Sequence, residues 1–81
     1  MLSAGTILKS DMENAGTTFY SVVSVAETSY MIKSLCKVRK GFLTTKFDIA
    51  DEIQILHSEV GFNYLEATRK EIARIRKIID M

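Results

Sequence analysis

The chain has 81 residues, 47% of them hydrophobic and 26% charged, with a formal net charge of +1. That is the composition of one ordinary globular domain, small enough to bury only about 60–65% of the surface its unfolded form exposes, and it supplies no general positive field for nucleic acid. Cys36 is the sole cysteine and His57 the sole histidine, so neither an intrachain disulfide framework nor a zinc cage of the usual ligands can be assembled.

Gly5 precedes TILKS, where the β-branched Thr6 and Ile7 predict a short first strand. The polar run DMENAG then supplies turn chemistry, because Asn and Gly tolerate positive φ and Asp bonds its own backbone. TTFYSVVSVAE crowds Thr, Phe, Tyr and Val together, which predicts the long second strand. A tight turn at Glu27 to Ser29 leads into a third strand, in which Tyr30, Ile32 and Ser34 alternate with Met31, Lys33 and Leu35, and a second turn falls at Lys40 and Gly41. Phe42 to Phe47 is the expected next strand.

The stretch FLTTKFDIADEIQIL reads two ways. Leu43, Thr45, Phe47 and Ile49 alternate as in a strand, whereas Ile49, Ile53, Leu56 and Val60 recur at helical spacing. Ile53 and Ile55 also alternate, and Ile55 would fall outside the apolar stripe of such a helix, so the expectation is an extended Ile53 to Leu56 with Ile53 and Ile55 sharing the core face with Phe47.

The tail GFNYLEATRKEIARIRKIIDM is read as a helix over residues 63–80. Asn63 and Glu66 have capping-box spacing, and Arg74, Arg76 and Lys77 sit where cations suit the negative end of the helix dipole. Leu65, Thr68, Ile72, Ile75 and Ile79 form an apolar stripe in steps of three and four residues. Such a stripe serves equally as the seam of a short coiled coil or as the face of a helix docked on its own domain. The expectation is self-association, most simply a homodimer, with the docked helix as the alternative.

The order of these pieces, five strands with a single turn at DIAD before EIQIL, resembles the strand plan of the Src-homology-3-like (SH3-like) small barrels. In that plan a turn of 3₁₀ helix joins the fourth and fifth strands. The resemblance covers residues 5–56 and implies a mainly β (α+β) chain, a five-stranded SH3-like barrel with a C-terminal amphipathic helix. A four-stranded antiparallel sheet followed by two helices is the competing architecture.

The chemistry legible in the sequence is mostly exclusion. Cys36 and His57 would need the fold to unite them before acting as a thiolate and imidazole pair, with Asp51 or Glu52 orienting the ring. Asp48, Asp51 and Glu52 lack the spacing and central glycine of a calcium loop. Gly5, Gly16, Gly41 and Gly61 are isolated, so no phosphate-cradling loop is present. The reading is no enzyme, no metal and no cofactor. MLSAGTILKS lacks a basic region followed by an apolar core, and no apolar run approaches the roughly 20 residues that span a bilayer, so a soluble, cytoplasmic chain with no membrane partner is expected.

Charge is distributed in blocks. Residues 33–46 hold five cations and no acid, whereas residues 48–59 hold four acids and no Lys or Arg. Lys37, Arg39, Lys40 and Lys46, with Tyr20, Tyr30 and Phe42 as neighbouring aromatics, form a candidate face for nucleic acid or an acidic partner. The KOW and Tudor-like modules, which this plan resembles, use such faces for nucleic acid or modified peptides. The leading expectation is a small non-enzymatic module for protein interaction or regulation, of a size that fits accessory proteins of phages or mobile elements. A nucleic-acid-binding module and a structural self-assembling subunit are the alternatives.

Overall fold

The computed structural model describes residues 2–12, 16–39, 44–46 and 51–79. The chain is mainly β, an antiparallel sheet with one C-terminal helix. Its elements are β1 (Ile7–Met12), β2 (Gly16–Val25), β3 (Ser29–Val38), β4 (Thr44–Lys46), β5 (Glu52–Leu56), a 3₁₀ turn (His57–Glu59), β6 (Leu65–Glu66) and α1 (Arg69–Ile79). The β-branched and aromatic run of β2 pairs with β1 on one side and β3 on the other, while β6 lies outside β1.

β4 and β5 occupy the same outer edge of β3. Lys46 lies opposite Cys36 and Glu52 opposite Lys33, so six steps of the outer strand match three of β3. The two segments thus share one edge of β3, and the start of β5 is pinned by Ser34 N–H to Asp51 C=O (3.0 Å) and Asp51 N–H to Ser34 Oγ (3.1 Å). This resolves the ambiguity of EIQIL: it is extended, and a helix there, required by the two-helix alternative, is not formed. Phe47 and residues 48–50, where the sequence predicts the DIAD turn, lie outside the described residues. The 3₁₀ turn that is described follows Leu56, and its Glu59 carboxylate accepts the Leu56 N–H at 2.8 Å.

β1, β2 and β3 send side chains to two cores, one on each face of the sheet. One face carries Leu8, Val22, Tyr30, Ile32 and Ile55, joined by Leu2, Tyr20, Val60 and Tyr64. The other carries Phe19, Cys36 and, from the helix, Ile75, joined by Ile7, Val38, Ala67 and Ile79. The centre of the sheet is thus covered on both sides. Ile53 and Ile55 share the first face as expected, opposite Ile32 and Tyr30; Ile55 is buried whereas Ile53 sits at the rim.

The helix begins later than the Asn63 capping box predicts. Leu65 and Glu66 are instead recruited as a strand opposite Lys9 and Leu8. The cap in use is one turn further on: Thr68 N–H donates to Glu71 Oε1 (2.9 Å) and Glu71 N–H to Thr68 Oγ1 (3.2 Å). Glu71 also receives Lys9 Nζ at 2.9 and 3.0 Å, which ties the first helical turn to β1. The five-residue stripe is accordingly not one helical seam: Leu65 is in β6, Thr68 is the cap, and Ile72, Ile75 and Ile79 alone lie on α1. Ile75 is 1% exposed against Phe19 and Cys36, so the helix spends its apolar face on its own sheet.

Candidate functional site

The basic residues reach a common site through an irregularity in the β2–β3 ladder. Phe19 pairs with Cys36 but Tyr20 pairs with Ser34, which leaves Leu35 as an extra residue on β3. A bulge of this kind switches the face on which the following side chains emerge. Unbroken alternation would put Lys37 on the face opposite Ser34. Beyond Leu35, Lys37 instead lies opposite Thr18, on the same face as Tyr20 and Ser34. The result is a groove of about 310 Å³ lined by Thr18, Tyr20, Ser34, Lys37, Arg39, Asp51 and Ile53.

Gly16 helps to hold the basic end in place. Its φ is +90°, and an added Cβ would strike the Val38 carbonyl oxygen and lie 2.8 Å from the Arg39 Cα. Only glycine allows β2 to start this close to the backbone that carries Arg39. On the groove wall, Tyr20 is half-buried and meets Tyr64 edge-on, with ring centroids 5.5 Å apart at 74°. Burial pushes its phenol up from the ordinary value, with the Tyr64 phenol adding to the effect and a Thr18 hydrogen bond opposing it. Tyr20 therefore stays neutral at physiological pH, a hydrogen-bonding hydroxyl on an apolar ring. With two cations and one carboxylate, the groove has a net single positive charge.

Of the residues read from the sequence, Lys37 and Arg39 line this groove together with Tyr20. Lys46 is placed in β4 opposite Cys36, while Lys40 and Phe42 lie outside the described residues. Tyr30 is a correction. It is 3% exposed in the first core, its hydroxyl accepts the Leu2 N–H at 2.9 Å, and its ring stacks on His57 with centroids 4.1 Å apart. Its position directly opposite Ile55 makes it a core residue and removes it from any base-stacking platform. Thr18 and Ser34 were not read as site residues from the sequence, and Asp51 and Ile53 were read in other roles, as an acid beside His57 and as a core-face residue. No glycine or other irregularity marks Leu35 as a bulge, so no local signal could have gathered them.

Cys36 and His57 are not brought together. Cys36 lies in the helix-side core, where burial raises its thiol above the ordinary range, and His57 stacks on Tyr30 in the other core. His57 Nε2 is 3.2 Å from the Ser29 carbonyl, which can only accept, so that nitrogen carries the proton and the ring serves to brace the β3 entry. Among the described residues there is no group of three or more His, Cys, Asp or Glu arranged to hold a metal ion, and no helix long and apolar enough to cross a membrane. Comparison of the chain with protein-family models, with characterised proteins and with solved structures finds no match.

Proposed function

We propose that this chain is a small non-enzymatic binding module on an SH3-like plan, which takes an acidic segment of a partner protein in the groove between β2, β3 and the start of β5. Support for the plan comes from the end of the sheet: β5 is followed by a 3₁₀ turn, and the next strand, β6, returns to β1. The observation that carries the binding reading is the Leu35 bulge, which gathers Lys37 and Arg39 beside the Tyr20 ring in one concave site. Arg39 offers a planar fork suited to a carboxylate, Lys37 a mobile point charge, and Tyr20 with Ile53 an apolar floor.

Asp51 in the same groove and a net charge of +1 favour a short acidic peptide over a polyanion. The nucleic-acid reading keeps one specific support, the juxtaposition of an aromatic ring with two cations. Fluorescence anisotropy with a labelled oligo-glutamate peptide and a labelled single-stranded oligonucleotide tests both. Peptide binding that is lost in the Lys37→Ala/Arg39→Ala variant supports the proposal. Preferential binding of the oligonucleotide, with log affinity falling against log salt by about 0.9 or less per phosphate contact, would replace it with the nucleic-acid reading. Binding of neither probe would overturn both.

A further inference from the structure

We infer that the outer edge of β5 is the interface of a two-fold homodimer, in which two copies of Glu52–Leu56 pair antiparallel about Gln54. The hydrogen-bond directions along the strand carry this. Asp51 C=O receives the Ser34 N–H and His57 N–H donates to Thr28 C=O, so the odd-numbered backbone groups from 51 to 57 face β3. The alternation of an antiparallel strand then turns the N–H and C=O of Glu52, Gln54 and Leu56 outward. The Leu56 N–H is satisfied by the Glu59 carboxylate. Among the described residues, the outward groups of Glu52 and Gln54 and the Leu56 carbonyl have no hydrogen-bond partner.

This edge carries neither of the two strongest deterrents to pairing, lysine and proline. Its sequence is EIQIL, with no lysine and no proline, and it is flanked by large apolar side chains in water: Ile53 is 37% exposed and Leu56 54%. A second copy matches it better than any other occupant does, because the strand is complementary to itself. With the axis at Gln54, the N–H and C=O of Gln54 exchange bonds with the partner's Gln54, and the Glu52 N–H donates to the carbonyl of the partner's Leu56 in each direction. Ile53 comes opposite the partner's Ile55, and Glu52, the strand's only charged residue, comes opposite Leu56 rather than its own copy.

Sedimentation velocity on the full chain, from low to high micromolar concentration, tests the inference together with substitutions at the axis. Wild type is expected to show a concentration-dependent dimer. Gln54→Glu sets two carboxylates directly opposite each other and is expected to weaken the dimer by about fivefold or more, as is Gln54→Lys; mixing the two variants restores a heterodimer. Gln54→Pro removes an outward N–H and the Gln54 Nε2 to Ser29 Oγ bond (3.1 Å) but no ladder bond to β3, so the monomer is expected to keep its circular-dichroism spectrum while the dimer is lost. If Gln54→Pro does not fold, the charge pair alone decides. A chain that is monomeric throughout overturns the inference, and so does a dimer whose strength is the same in the Gln54→Glu, Gln54→Lys and mixed samples.

Discussion

Truncating Ile75 to alanine is the most direct test of how the helix is held. Ile75 is 1% exposed between Phe19 and Cys36, so the substitution strips three buried carbons from a packed site. At about 0.8 kcal/mol per buried methylene the transfer loss is about 2.4 kcal/mol, and the cavity left behind brings the cost to about 3–4 kcal/mol. At about 0.05–0.15 kcal/mol per residue, the chain's total stability is about 4–12 kcal/mol, so this one change consumes a quarter or more of it. Leu65 belongs to the same heptad-like stripe in sequence but is 42% exposed in β6, and Leu65→Ala is expected to cost less than about 1.5 kcal/mol. Urea denaturation followed by circular dichroism measures both. With a slope near 1 kcal/mol per molar, Ile75→Ala moves the midpoint down by about 3 M, independently of protein concentration. Equal losses for the two variants, or a difference between the wild-type and Ile75→Ala midpoints that changes with concentration, would show that the stripe works between chains and would refute the docked arrangement.

The Glu71 carboxyl is subject to burial, which raises its pKa, but the Thr68 backbone N–H, the Lys9 ammonium and the Thr68 hydroxyl outweigh that and hold it below the ordinary range. Its contribution is therefore complete above the unfolded value of about 4.3 and is lost as pH falls through the lower folded value; Glu71→Gln is expected to flatten the acid limb of stability against pH. Gly16→Ala forces a side chain to positive φ and against the backbone of Val38 and Arg39, so it is expected to cost about 2 kcal/mol or more and to weaken acidic-peptide binding beyond that loss. A Gly5→Ala control, where the new methyl meets open space, should leave peptide binding unchanged. Cys36, buried and with its thiol held protonated by burial, is expected to react with a thiol reagent only through unfolding, so the logarithm of its labelling rate should rise in Ile75→Ala in proportion to the lost stability. Fast labelling of native wild type would contradict the packing described.

The sequence by itself determined the class of the long elements β2, β3 and α1, though not of β6, whose Leu65 and Glu66 read as helix. The β-branched and aromatic density of residues 17–25 specifies a strand wherever it lies, because those side chains suit a pleated, packed surface. The Ile72, Ile75 and Ile79 spacing likewise specifies a helix with one apolar face. Tertiary structure decided what local signals leave degenerate. Asn63 with Glu66 and Thr68 with Glu71 are both capping-box patterns, and the second is used because β1 takes Leu65 and Glu66 as strand partners while Lys9 binds Glu71. Whether Lys37 joins Tyr20 or turns away from it depended on a single unpaired residue, Leu35, since one added residue reverses the face of those that follow. The candidate groove is thus a product of register between distant strands, which composition and periodicity along one strand do not encode.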